Sequence, residues 1–194
     1  MLGATVALFP DNAKLGPVRA QYFRDHGLGP DGGYSARWVK FRIGPLVIPF
    51  PNSPARVAAL PLHDLHHIAT GYDASWTGEA EIAAWELGAG CGRYLAAWLL
   101  NFMALAIGLV IAPRRTWRAF HRGRHAQTLY HESWDPGWLD RTVGSLRARL
   151  AVTQPPGPAR LSDVLLFACY TLPGLGIGVI AVLLLRAAAA WGVS

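Results

Sequence analysis

The order of apolar and polar residues predicts a mainly α-helical chain with one short β-hairpin near its beginning. Residues 14–26 place apolar side chains at helical spacing, and Gly27 and Gly29 follow them as stop signals. Residues 37–50 alternate between apolar and polar positions around a central Gly44-Pro45 pair. This alternation, interrupted by a turn-forming pair, favours two short antiparallel strands.

Two further helices are predicted in the first half of the chain. One covers about 55–70, with Ser53 as its N-cap, a bend at Pro61 and a stop at Gly71. The other is capped by Thr77 or Gly78, has two acidic residues in its first turn, and continues to about 112. The glycines between 88 and 92 predict a break inside this second helix, and Pro113 ends it.

Two long uncharged stretches raise the question of a membrane. Residues 94–113 form one stretch of twenty, and residues 164–185 form another of twenty-two. A helix needs about 20 apolar residues to cross a bilayer core, so both are long enough. We expect 164–185 to span or insert deeply into a membrane. For 94–113, a span and a buried or monotopic core helix both remain open.

These elements together predict the fold class and its division. We expect a mainly α, membrane-associated helical domain with a short N-terminal β-hairpin and one or two membrane-embedded helices. The Pro-rich segment 153–159 is the best boundary in the chain. It divides a helical domain of residues 1–156 from a segment of residues 157–194 that holds the linker and an apolar C-terminal membrane helix.

Composition and charge favour a lipid partner. Hydrophobic residues make up 52% of the 194 residues, and the net charge of +6 is concentrated in residues 114–163, where nine arginines face four acids. No nucleic-acid-binding motif accompanies this excess, so we expect lipid headgroups and no nucleic acid. The headgroup candidates are Arg114, Arg115, Arg118, Arg122 and Arg124. They should face the cytoplasm, and no cleaved signal peptide is expected.

One cluster of residues predicts a divalent-metal site. His63 and His67 are four residues apart, so on a helix they share one face and can reach the same ion. Asp64 can bind the ion or orient a ligand, and Glu79 opens the next predicted helix and can fold back against the first. His66 points to another face. Two histidines and one or two carboxylates suit zinc, iron or manganese equally.

A second histidine pair has a less specific context. His121 and His125 are also four residues apart, but five arginines surround them. Because these charges repel a cation, we expect a solvated or lipid-facing surface there and no second metal site. The two pairs also resemble histidine boxes of membrane hydroxylases and desaturases, although the chain has only seven histidines in total.

The spacing His63-Asp64-x-x-His67, eleven residues, then Glu79 resembles the signature of the coenzyme Q (ubiquinone) biosynthesis protein 4 family. Residues on both sides, within 14–156, extend the resemblance. They are Ala20-Gln21-Tyr22, Asp25, Thr70-Gly71, Gly78, Gly123, Leu129-Tyr130, Glu132, Leu146-Arg147 and Pro155-Pro156. The chain departs from the family where Ala59-Leu60-Pro61-Leu62 replaces a basic run, in the hairpin, and in the apolar C-terminal segment.

The resemblance implies a membrane-bound, metal-dependent enzyme of ubiquinone assembly, at the bacterial inner membrane. Such an enzyme replaces the head-group carboxyl of a prenylated precursor with a hydroxyl, with Asp64 and Glu79 as catalytic groups. Expected partners are membrane lipid or the prenylated precursor, other quinone-biosynthesis proteins and a second copy of the chain. Two alternatives remain: a non-catalytic lipid-binding scaffold of a quinone-biosynthesis complex, and a di-iron lipid hydroxylase or desaturase.

Overall fold

The computed structural model of the protein describes residues 9–43 and 46–191. Helices account for 64% of these residues, and one two-stranded sheet accompanies them, so the predicted mainly α fold with a hairpin is confirmed. The α-helices are α1 (Leu15–Asp25), α2 (Pro54–Thr70), α3 (Trp76–Ala89), α4 (Leu95–Ile111), α5 (Pro113–Gly123), α6 (Val143–Arg149) and α7 (Leu161–Trp191). Short 3-10 helices occupy Leu129–His131 and Pro136–Asp140.

The β-hairpin lies between α1 and α2. Strand β1 (Trp38–Ile43) pairs antiparallel with β2 (Leu46–Pro51), in a register that sets Trp38 opposite Pro51 and Ile43 opposite Leu46. The predicted turn at Gly44-Pro45 lies outside the described residues. The side-chain amide of Asn52 donates to the carbonyl oxygens of Gly33, Tyr34 and Ala36, and thereby fixes the chain that leads into the hairpin.

Local signals set the ends of α2 and the break between α3 and α4 as predicted. Ser53 Oγ accepts from the backbone N–H of Arg56, and Gly71 ends α2 with a φ of 77°, which favours glycine. Helix α3 ends at Ala89 before Gly90, whose φ of 96° is again unfavourable for other residues. The predicted cap at Thr77 or Gly78 is wrong, because Ser75 caps α3 and accepts from Gly78 N.

Helix α3 is the central helix of the core. It packs between α4 and α5, and its side chains Ile82, Trp85 and Leu87 are almost fully buried. Burying a large apolar side chain contributes about 1.5–3 kcal/mol, so this helix anchors the fold. Gly88 of α3 and Gly123 of α5 allow the close crossing, since a Cβ at either position would overlap backbone atoms of the other helix.

The prediction of membrane-embedded helices is corrected in one respect. Counted over the described residues, no helix is both long enough and apolar enough to cross a bilayer. The uncharged stretch 94–113 forms α4, which has only 17 residues before Pro113 begins α5. Its Asn101 and Leu105 are buried against the core. In α7, several side chains within 177–190 lie outside the described residues.

The C-terminal helix α7 packs against α4 and the end of α5. Tyr170 contacts the rings of Trp98 and Phe102, and Phe167 contacts those of Trp117 and Phe120. A Cβ at Gly174 would lie 2.5 Å from the carbonyl oxygen of Phe102, so this glycine lets the two helices approach closely. Residues 150–160 connect α6 to α7, and 155–160 have no regular structure. The division of the chain at the Pro-rich segment stays a prediction.

Candidate metal centre

Helix α2 carries the two predicted histidine ligands on one face. His63 and His67 are one helical turn apart, and their Nε2 atoms face each other at 3.1 Å. The His67 side chain is 1% exposed and the His63 side chain is 20% exposed, so the pair lies at the edge of the core. The spacing that predicted a shared face therefore produces two converging nitrogens.

The predicted carboxylate Glu79 reaches this pair from the first turn of α3. Its Oε2 lies 3.7 Å from His63 Nε2, and its Oε1 lies 3.5 Å from His67 Nε2. The tight connection between α2 and α3 makes this possible, since a Cβ at Gly78 would overlap Asp73. The potential ligand atoms of His63, His67 and Glu79 all lie within 4.8 Å of one another.

The other ring nitrogen of each histidine is held by a fixed acceptor. His63 Nδ1 lies 2.9 Å from a carboxylate oxygen of Glu86, and His67 Nδ1 lies 2.9 Å from the carbonyl oxygen of Tyr72. Each Nδ1 therefore carries the donated proton, and each Nε2 presents a lone pair toward Glu79 when the ring is neutral. Metal-binding histidines typically have such acceptors behind them, because they fix the tautomer and the ring orientation.

Glu86 is the residue that sequence reasoning missed. Its fully buried carboxylate accepts hydrogen bonds from His63, His66, Asn101 and Tyr130. Two signals in the sequence could have found it. Glu86 lies seven residues after Glu79, on the same helical face, and it stands within the otherwise apolar run 82–89, where a carboxylate needs partners.

The electrostatics of the centre favour positive charge between Glu79 and Glu86. Burial acts to raise the pKa of Glu86, but the charge of His63 and the hydrogen bonds of both histidines hold it well below its usual range. Burial acts to lower the pKa of His63, but Glu86 and Glu79 raise it well above its ordinary value. Burial lowers the pKa of His67, which favours its neutral, metal-binding form.

Asp64 and His66 stand apart from the converging atoms. Asp64 is buried and accepts a hydrogen bond from the hydroxyl of Tyr34, and burial raises its pKa to about 6. It does not belong to the group of converging ligand atoms, so its predicted role as a ligand stays a prediction. His66 donates to Glu86 at 2.7 Å and accepts from the backbone N–H of Leu129 at 2.9 Å, so both of its nitrogens are occupied.

The donor set fits a divalent transition metal. Two imidazole nitrogens and one carboxylate form the protein ligands of one common class of catalytic zinc site, and they also suit iron and manganese. A cavity of about 390 Å³ opens beside His67. Gln21, Tyr22 and Asp25 line it, and these three belong to the residues that resemble the quinone-biosynthesis family.

The five arginines predicted to bind headgroups divide between structural and open positions. Arg115 pairs with Glu81 through two hydrogen bonds, and Arg122 donates to the carbonyl oxygens of Thr70 and Val152. Arg124 pairs with Asp163, and Arg114 is exposed. A cavity of about 590 Å³ lies beside these residues, and its lining includes Arg115, Arg118 and Arg122 together with Tyr72 and Trp117.

Fold and site together define a mainly α-helical protein with a candidate His-His-Glu metal centre at the edge of its core. Comparison with known proteins adds nothing to this, since no family model, curated protein or solved structure matches the chain. The resemblance to the coenzyme Q biosynthesis family consequently depends on the motif and its flanking residues alone.

Proposed function

We propose that this protein is a metal-dependent enzyme that acts on the head group of a prenylated quinone precursor, in ubiquinone assembly. His63, His67 and Glu79 hold a divalent ion, zinc, iron or manganese. The observation that carries the proposal is the convergence of the two Nε2 atoms, at 3.1 Å, on a carboxylate from a different helix. Such convergence at the edge of the core, with both Nδ1 atoms held, is typical of histidines that bind a metal ion.

Each residue around the proposed metal site has a separate role in the proposed reaction. His63, His67 and Glu79 would hold the ion, which would supply Lewis-acid chemistry for a ring carboxylate or a developing oxygen charge. Glu86 and the Tyr72 carbonyl orient the two histidines, and the hydroxyl of Tyr34 orients the Asp64 carboxylate. Asp64 is the proposed proton-transfer group. The cavity beside His67, which Tyr22 lines, is the proposed site of the aromatic head group.

We propose that the protein lies at a lipid surface and contacts it through the exposed faces of α4 and α7. Helices α4 and α7 expose large apolar side chains, among them Val110 (81%), Leu161 (73%) and Leu172 (67%). Exposed apolar side chains on two neighbouring helices favour a lipid or another apolar partner over water. The prenyl tail would occupy this side, where its binding energy positions the ring. Lipid, the prenylated precursor, other enzymes of the pathway and a second copy of the chain remain the proposed partners.

Metal analysis of purified protein tests the proposal. We expect wild-type protein to carry an ion that His63→Ala and His67→Ala lose, while His131→Ala keeps it. His131 is the matched control because it is exposed and does not belong to the group of converging ligand atoms. Equal ion content in wild type and in the two cluster variants, measured by elemental analysis with folding checked by circular dichroism, would rule out this metal site.

Genetic complementation separates catalysis from the scaffold alternative. A strain that lacks its own head-group-modifying step should recover quinone synthesis with wild-type protein and fail with Glu79→Gln. Should folded Glu79→Gln restore synthesis as well as wild type, the catalytic role is excluded and the scaffold is favoured. The di-iron alternative instead requires two irons in one centre that depends on His121 and His125, whereas these residues belong to a cluster separate from His63 and His67.

A further inference from the structure

The second histidine pair lies against the beginning of the C-terminal helix. His121 is on α5, His125 follows the end of α5, and Asp163 lies in the first turn of α7. Their potential ligand atoms lie within 4.8 Å of one another, with His121 Nδ1 at 3.8 Å from Asp163 Oδ2. The two rings are nearly perpendicular, at 85°, with centroids 5.1 Å apart. Helix α7 thus supplies a carboxylate that the sequence did not connect with this pair.

Two nitrogens of the cluster have no hydrogen-bond partner among the described residues. They are His121 Nδ1 and His125 Nε2, and both atoms are buried from solvent. Leaving a buried polar group unpaired is unfavourable, so two such atoms facing one carboxylate require an explanation. A cation between them would satisfy both nitrogens at once.

The surroundings orient His121 for this role. His121 Nε2 donates to the carbonyl oxygen of Gly157 at 2.9 Å, which leaves a lone pair on Nδ1 when the ring is neutral. The ring of Trp117 stacks on His121 at 5.8 Å and holds its plane. An acceptor behind the ring and a packed face beside it are features of histidines that bind metals.

Two hydrogen bonds hold the carboxylate of the cluster. Asp163 is 4% exposed, and it accepts from the guanidinium of Arg124 at 3.1 Å and from the backbone N–H of Arg160 at 3.0 Å. The sequence predicted that arginines would repel a cation here. Arg124 is paired with Asp163, however, and Arg122 points to the carbonyl oxygens of Thr70 and Val152. The predicted obstacle is therefore reduced by local pairing.

We infer that His121, His125 and Asp163 form a second metal site, which takes a zinc-like divalent ion and fastens α7 to the end of α5. The three donors would bind the ion through His121 Nδ1, His125 Nε2 and a carboxylate oxygen of Asp163. Such a site joins the beginning of α7 to the end of α5, so its effect is structural. It shares no ligand with the centre at His63 and does not depend on the proposed function.

Cobalt and zinc titration of the full-length chain tests the site by itself. In a His63→Ala/His67→Ala background the first centre is removed, and we expect one Co²⁺ to bind and to produce visible d–d absorption. Adding His125→Ala should abolish that binding, whereas adding His131→Ala should leave it unchanged. If the background protein, shown to be folded by circular dichroism, binds no more ion than its His125→Ala derivative, the site does not exist.

Hydrogen exchange measures the structural effect in the same proteins. The site exists only when α7 is docked, so bound zinc should oppose the opening that lets backbone amides exchange. At a zinc concentration ten times the dissociation constant, we expect amide exchange of residues 160–168 to slow about 10-fold. Asp163→Asn should lose this slowing, and residues 54–70 should show none in the His63→Ala/His67→Ala background. Zinc binding without slower exchange at 160–168 would overturn the role in fastening α7.

Discussion

The carboxylate of Glu86 accepts a hydrogen bond at 2.7 Å from His66 Nδ1, and both side chains are fully buried. The same carboxylate also holds His63, one of the proposed metal ligands, at 2.9 Å. The interior of the helical core and the metal centre at its edge therefore share one anionic group. A change at Glu86 should affect both stability and metal binding.

Glu86→Gln should weaken metal binding while the protein stays folded. The amide keeps the shape of the side chain but loses the charge and one of the oxygens that accept hydrogen bonds. One Glu86 oxygen accepts from His63 and His66, and the other accepts from Asn101 and Tyr130, so an amide cannot accept from both pairs. Because the negative charge that orients His63 is also lost, we expect metal affinity to fall roughly 10–100-fold, measured by competition with a chromogenic chelator. Glu132→Gln is the control, since this partly exposed carboxylate lies outside the cluster. Unchanged affinity in Glu86→Gln would show that the carboxylate has no part in metal binding.

Asp64→Asn should keep the ion and lose activity. Asp64 lies outside the converging ligand atoms and accepts from Tyr34, so its loss leaves His63, His67 and Glu79 in place. Proton-transfer groups typically contribute 10²–10⁴-fold to rate, so quinone formation should fall by about that factor. Elemental analysis measures the metal content, and His67→Asn is the reference variant that loses the ion of the His63 centre only. Loss of the ion in Asp64→Asn would instead identify Asp64 as a ligand.

Gly123→Ala should destabilise the fold strongly. A Cβ at this position would overlap the carbonyl carbon and oxygen of Trp85, so α3 and α5 would have to separate. Overpacking of this kind costs about 1–3 kcal/mol, measurable as a lower midpoint of urea unfolding. Gly176→Ala is the matched control in α7, where an added Cβ meets nothing within 4 Å and alanine favours the helix. Equal midpoints for the two variants would contradict the close crossing.

Arg147→Met should cost much more stability than Arg149→Met, although both remove one positive charge from α6. Arg147 is 8% exposed and donates to the carbonyl oxygens of Phe9 and Ala69, as well as to Asp11. Its loss leaves those acceptors without a donor, at a cost of about 2–4 kcal/mol. Arg149 pairs with Glu132 at the surface, and such pairs contribute about 1 kcal/mol or less. Comparable unfolding free energies would show that the Arg147 contacts do not stabilise the fold.

The sequence by itself determined the elements whose causes are local. Ser53 and Gly71 set the ends of α2, and the glycines at 88–92 interrupt the helical run between α3 and α4. Alternation over 37–50 indicated the hairpin. The four-residue spacing of His63 and His67 placed their rings together. Each of these features depends on hydrogen bonds or steric limits within a few residues, so the residue order carries the information.

Only the tertiary structure decided which distant groups meet. Glu86 joins His63 to the buried interior, and Asp163 reaches His121 across a gap of 42 positions in the chain, because helix packing brings them together. The same packing places α4 against α3 and α7. From the uncharged stretch 94–113 alone, the sequence could not decide between a membrane span and a core helix. The length of an apolar stretch indicates only how strongly its side chains favour burial away from water. The neighbours that cover such a helix are fixed by long-range contacts, which local sequence patterns do not encode.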